Sequence, residues 1–197
     1  DNAFWGIASG CTVWTAYEVV MMWGYANGQI DLVDWNTAPA YFTLMVLLIP
    51  FWRDFHFYLI HRLIHWKPLY RTVHYLHHKN VNMGPWTGIS MHPVEHVFYF
   101  SVAMLFWFVP SHPLMVIFIL QHAVLVATTG HTGFEDYVVK GKAKLPTGQF
   151  IHYLHHRYFE CNYGSQMVPF DKWFGSLHDG SPDAHARMQE RWGEKRT

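Results

Sequence analysis

The chain has 197 residues, room for one ordinary domain, and a formal net charge of zero, which excludes an electrostatically captured polyanion such as nucleic acid. Only 14% of residues are charged, whereas 18% are aromatic, with ten Trp and fifteen Phe. That makes a poor soluble surface but suits a membrane protein, whose aromatic rings gather at the interfaces. The near-zero mean hydropathy hides this, because sixteen His count as polar. Two isolated cysteines, Cys11 and Cys161, exclude a disulfide framework and a zinc ribbon. The chain opens on Asp1 with no basic stretch and cleavage site of a signal peptide. We therefore expect one domain over residues 1–197 that lacks an N-terminal segment.

In chain order, four apolar stretches predict membrane-spanning helices at about 11–27, 37–52, 94–110 and 113–129, each near the lower length limit for a span. The first two are joined by GQIDLVDWN and the last two by Ser111-His112-Pro113, so they pair as two hairpins. No Lys or Arg lies in either connection. By the positive-inside rule both connections face away from the cytoplasm, leaving 53–93 and 130–197 together on the cytoplasmic side. The expected fold is all-α: an integral membrane protein with about four spans and a cytoplasmic helical cap. Glu18 lies inside the first stretch, and a structural role is assigned to it.

The cap is where histidines cluster. HRLIH supplies His61 and His65, and the pentapeptide HYLHH occurs twice, as His74–His78 and His152–His156. Residues three and four apart share a helical face, so each cluster presents two or three imidazoles to one side. Such a set is how a protein holds a metal through nitrogen. Eight imidazoles exceed the needs of one tetrahedral ion, so the cap is expected to hold two metals. Imidazole by itself suits iron, zinc or copper.

HRLIH, HYLHH and HYLHH resemble the histidine boxes HX3H, HX2HH and HX2HH of the membrane fatty acid hydroxylase/sterol desaturase superfamily. DFHFYLIHRLIH, the His131-Thr132-Gly133-Phe134 element, and HHRYFECNYG followed by DKWFGSLHDG are similar to its C-5 sterol desaturase branch over roughly 52–180. The resemblance implies metal ligands at His61, His65, His74, His77, His78, His131, His152, His155 and His156. It also implies two iron ions, O2 as co-substrate, and hydroxylation or desaturation of an unactivated C–H position of a sterol-like or fatty acyl lipid drawn from the bilayer. This chain has no haem, flavin or iron–sulfur motif, so a separate electron donor is expected: a cytochrome b5-like protein, a ferredoxin or a reductase.

The remaining histidines and acids divide by position. His92, in MHPVEH, is a candidate extra ligand or a group behind the ligands. Asp54, seven residues before His61, is expected to orient an imidazole through its other ring nitrogen; Glu135, Asp136 and Asp171 are weaker candidates for that task. His56 is assigned a place behind the ligands or a structural role, His96 and His122 are assigned hydrogen-bonded core roles, and His112, His178 and His185 are discounted. Asn162-Tyr163-Gly164 is expected to turn the tail back over the site. Two other functions fit the boxes. A metal carrier would distribute its ligands along the spans, unlike this clustering at one end; a metal-stabilised structural membrane protein without oxygenase activity is the other.

Overall fold

The computed structural model describes residues 1–141, 143–165 and 167–194. It is helical, with one short two-stranded hairpin. Helix α1 covers residues 2–26 as Asn2–Trp5, a π-helical stretch Gly6–Cys11 and Thr12–Ala26. Helix α2 is Pro39–Ile64. Helix α3 covers 67–78 as Lys67–Leu69, a π-helical turn Tyr70–His74 and Tyr75–His78. A 3-10 turn, Pro85–Ile89, precedes α4, which runs as Pro93–Phe100 and then tightens to 3-10 over Ser101–Trp107. Helix α5 is Pro113–Thr129. Strands β1 (Asp136–Val139) and β2 (Ala143–Pro146) pair antiparallel, an addition to the all-α expectation. Helices α6 (Gln149–Tyr158), α7 (Phe170–Trp173) and α8 (Pro182–Glu194) complete the chain.

The four apolar stretches are all helical, but they are not four equivalent spans. By length and composition one helix among the described residues, α2, is able to cross a membrane; α5 is apolar but shorter. The π-helical stretch interrupts α1, and α4 leaves α-geometry at Ser101. Helix α2 also runs past the expected end at residue 52, carrying the first histidine box as its last turns.

The core lies where α1, α2, α4 and α5 meet, around Met21, Ile49, Phe106, Met115, Ile119 and Leu120. Outside it, α2 exposes Leu44, Leu47, Leu48, Phe51, Phe55 and Leu59. Their spacing of three and four marks one continuous apolar face, the exterior expected of a chain whose solvent is lipid. The two short connections meet at one end: Val33 N–H donates to the Ser111 carbonyl (2.9 Å) and Ser111 N–H to Asp31 (2.9 Å). Tyr25 and Ser111 share a hydroxyl contact there (2.7 Å). From that end α2 carries the chain about 33 Å to its histidines, at 1.5 Å per residue.

At the histidine end one close approach fixes the packing. A Cβ on Gly88 would lie 2.4 Å from the Ala127 carbonyl oxygen and 3.0 Å from His131 Nδ1. Glycine thus lets the turn Pro85–Ile89 press against the end of α5, where His131 follows.

Candidate metal centre

All nine histidines picked out by the boxes and the His131 element converge, and they do so as two groups. His61, His65, His74, His78 and His155 form one; His77, His131, His152 and His156 form the other. Within each group the ligand atoms lie within 4.8 Å of one another. The two HYLHH copies divide between the groups in opposite senses. The first sends its i and i+4 histidines (His74, His78) to the five-histidine group and His77 to the other. The second sends His152 and His156 to the four-histidine group and His155 to the first. Each pentapeptide therefore bridges both groups, and His78 and His156 face each other with ring centroids 4.6 Å apart.

In the five-histidine group, Nε2 of His65 lies 3.1 Å from those of both His74 and His155 and 3.3 Å from that of His78. His78 Nε2 is 3.0 Å from His74 Nε2 and 3.1 Å from His155 Nε2. In the second group, Nε2 of His131, His152 and His156 form a triangle with every side 3.2 Å. A shared ion at about 2.1 Å from each nitrogen requires N···N separations of about 3.0 Å for right-angled ligands and about 3.4 Å for tetrahedral ones. These separations, among His65, His74, His78 and His155 and among His131, His152 and His156, fit that range, while His61 and His77 lie within 4.8 Å of the other ligand atoms of their groups.

Tautomers supply a second test. His61 Nδ1 lies 2.6 Å from the Tyr163 carbonyl, His155 Nδ1 2.6 Å from the Cys161 carbonyl, and His131 Nδ1 2.7 Å from the Ala127 carbonyl. A carbonyl only accepts, so each Nδ1 carries the proton and each Nε2 of the neutral ring presents a bare lone pair. Bare lone pairs of His155 and His131 thus point at other imidazole nitrogens 3.1–3.2 Å away. A cation between them would take these lone pairs as ligands, and the donor set fits a metal. Burial holds the rings neutral: His77 and His155 are pushed down to about 3, and His131 to about 4, first by desolvation and then by neighbouring imidazoles.

Three local devices aim these rings. Residues 65, 74 and 78 face one another because α2 ends at Ile64 and the π-helical turn at Tyr70–His74 resets the phase of α3. Helix α6 starts after Gly148 (φ 78°) and stops at Phe159, whose φ is 65°. The chain then reverses at Asn162, also left-handed at φ 55°. Asn162 is fully buried; its side chain donates to the Ile151 and His178 carbonyls and accepts from His178 N–H (3.0, 2.8 and 2.7 Å). Asp171 accepts from the Tyr163 and Gly164 amides (2.9 and 2.7 Å) and from Ser176 (2.6 Å). The expected turn at 162–164 is present, and it also lays the Cys161 and Tyr163 carbonyls against His155 and His61.

Two assignments need correction. Asp54 orients no imidazole: its carboxylate accepts from the Ser165 hydroxyl and from the Val168 amide (2.9 Å). Seven residues of helix do bring it near the face of His61, but the returning tail takes both oxygens. His92 belongs to neither histidine group. It caps α4, with Nδ1 accepting from the Val94 amide at 3.2 Å. The acid that meets a ring is Glu95, overlooked in the same MHPVEH stretch. Its buried Oε1 lies 2.8 Å from His74 Nδ1. Among the weaker candidates, Glu135 accepts from the Phe150 amide (3.3 Å) at the start of α6.

The structural assignments of His56, His96 and Glu18 agree with the contacts, whereas His122 is not the hydrogen-bonded core histidine expected: its buried Nδ1 has no partner among the described residues. His56 meets Ser101 (2.9 Å), and His96 lies between Ser9 (2.8 Å) and the Ile89 carbonyl (3.2 Å). Glu18 accepts from the Trp14 indole at 2.6 Å. His112 caps α5, His178 stacks on Tyr158 and His185 meets the same ring at a tilt, apart from both groups.

The fatty acid hydroxylase family model matches residues 46–176, a span that holds every one of the nine histidines. The chain belongs to the fatty acid hydroxylase family. It is 30% identical over 173 residues to the Delta(7)-sterol 5(6)-desaturase ERG3B of Gibberella zeae, covering 81% of this chain and 47% of that protein. To the Delta(7)-sterol-C5(6)-desaturase of Nicotiana tabacum it is 27% identical, over 83% of this chain and 59% of that one. To the Delta(7)-sterol 5(6)-desaturase of Candida glabrata it is 29% identical, over 87% and 47%. The chain spans about half the length of these curated relatives. No solved structure matches it significantly. The likeness to sterol desaturases agrees with the resemblance carried by the boxes.

Proposed function

We propose that the chain is the metal-bearing part of a membrane oxidoreductase. It uses two iron ions and O2 to hydroxylate or desaturate a lipid at an unactivated C–H position. The observation that carries this reading is one cavity that reaches both histidine groups. His61 and His74 of the first group and His77, His131 and His152 of the second line it, beside Phe57, Ile60, Met91, Tyr99, Val126 and Ile151. A metal-stabilised structural protein or a metal carrier needs no apolar chamber against both groups; an enzyme acting on a lipid does.

When bound, the iron pair supplies the redox chemistry with O2, which no side chain of this chain provides. The chain's own residues do the remaining work. Phe57, Ile60, Val126 and Ile151 bind the hydrocarbon and exclude water from the reacting carbon. Tyr99 holds its proton on the Ala123 carbonyl (2.6 Å) and so gives the cavity a fixed wall. Carbonyls of Ala127, Cys161 and Tyr163 keep their imidazoles in the ligating tautomer through each turnover.

Because α2 and α5 supply Phe57, Ile60 and Val126 to the apolar wall, the lipid enters from the bilayer, between spans whose histidine end lies on the cytoplasmic side. The named relatives support a sterol-like lipid, with a fatty acyl chain as the other reading. Electrons come from a separate cytochrome b5-like protein, ferredoxin or reductase.

The test is lipid mass spectrometry of the iron-loaded protein given O2, reductant and a panel of sterol and acyl lipids. The expected result is a product that has gained one oxygen atom or lost two hydrogens, absent with His77→Ala. Iron-loaded wild type that yields no O2-dependent product from any lipid in the panel contradicts the proposal.

A further inference from the structure

Arg53 lines the cavity at the histidines and also an adjoining cavity bounded by Pro50, His122, Tyr137 and Met167. It is a buried cation with unfinished bonding. The side chain is 4% exposed and its nearest carboxylate, Asp54, lies 3.7 Å away. That carboxylate already accepts from Ser165 and from the Val168 amide. Nη2 reaches the Tyr99 hydroxyl at 3.5 Å, and buried Nε has no partner among the described residues. A guanidinium in an apolar setting is costly unless its donors are used. An ionisable side chain in a membrane-spanning helix is a functional group by default.

The geometry points to Arg53, together with Ser165, as the anchor for a hydroxyl group on the lipid substrate. This rests on the lipid-oxidising reading above and names the polar part of its substrate. Charge decides between oxygens: Arg53 and Asp54 already form a neutral pair, so a lipid carboxylate would leave two buried anions against one cation. A neutral oxygen accepts from the Arg53 guanidinium without that cost. Ser165 lines both cavities too and spends its proton on Asp54, leaving its oxygen free to accept. A donor and an acceptor that both reach Asp54 Oδ1 and line the same cavities match a hydroxyl, which is both. The guanidinium carbon lies 4.8 Å from the Phe57 ring centroid, and Phe57 lies 4.9 Å from the His61 ring. At most about 10 Å, the two steps end to end, separates the cation from a ligand imidazole. One lipid reaches both, with its hydroxyl held and its hydrocarbon across the histidines.

The experiment is equilibrium binding to the iron-loaded full chain in detergent, without O2 or reductant, so that its outcome is separate from whether the protein oxidises anything. The probes are cholesterol against 5α-cholestane, and octadecanol against octadecane and stearate. Wild type is expected to bind at least one alcohol about tenfold or more tighter than its hydrocarbon, the worth of a hydrogen bond to a charged donor. A preference for cholesterol marks a sterol-type alcohol and one for octadecanol a chain alcohol. Arg53→Met is expected to bring alcohol and hydrocarbon within about threefold at unchanged iron content, and Ser165→Ala to narrow the gap partly. Equal binding of alcohols and hydrocarbons by wild type overturns the inference, whatever the variants do. So does an alcohol preference retained by Arg53→Met, or stearate bound tighter than octadecanol.

Discussion

At the scale of single residues, the site depends on where protons sit on imidazole rings. The histidines themselves were legible because ligands are side chains, and three- and four-residue spacings survive into the folded cap. The groups that fix their tautomers were not, because three of them are the carbonyls of Ala127, Cys161 and Tyr163, which every residue type possesses. Glu95 carries an ordinary signal, an acid in a histidine-bearing stretch, but nothing in the spacing joins it to His74, 21 residues earlier. Its role makes a prediction. Glu95→Ala is expected to weaken metal binding at the five-histidine group by about 10–100-fold, whereas Glu95→Gln, whose amide oxygen still accepts from His74 Nδ1, loses less. Competitive metal titration of the two variants measures this; equal losses would show that charge, not ring orientation, is what Glu95 contributes.

At the scale of elements, the repeated HYLHH is explained by interleaving. Each copy is a helical turn lying between the two groups, giving two imidazoles to one and a single imidazole to the other. The helical phase of each copy was readable; the π-helical turn that aims α3 and the left-handed residues that end α6 were not, since neither has a local composition that demands it. Two substitutions probe these devices. Asn162→Gly keeps the left-handed backbone and removes three side-chain hydrogen bonds. It is expected to destabilise the fold by about 1–3 kcal/mol, read as a lowered unfolding midpoint with weaker metal retention. Gly88→Ala forces a methyl against the Ala127 carbonyl and is expected to cost about 1–3 kcal/mol. Metal loss should come first at the four-histidine group, because His131 follows the displaced end of α5. Loss confined to the five-histidine group would contradict that placement.

At the scale of the whole molecule, the sequence placed the two short connections at one end and the histidines at the other, and the packing agrees. Four apolar stretches did not make four uniform spans, because apolar composition does not report that α1 takes a π-helical turn or that α4 tightens at Ser101. The buried cluster also sets a pH dependence for the metal-free protein. Its folded-state histidines, His77 and His155 at about 3 and His131 at about 4, resist protons that the unfolded chain accepts at the ordinary histidine value of about 6.5. Unfolding therefore takes up protons below about pH 6.5, so this part of the stability is complete above that pH and is lost as pH falls toward 3–4. Unfolding midpoints of the metal-free protein between pH 8 and pH 4 check the sign.

Nine histidines divided into groups of five and four predict two metal ions, and iron content per chain reads that number. Saturated wild type is predicted to hold two irons. The pair His74→Ala with His78→Ala, and separately His131→Ala with His156→Ala, are each predicted to hold one. A wild type that saturates at one iron, or a doubly substituted chain that still holds two, would contradict the account.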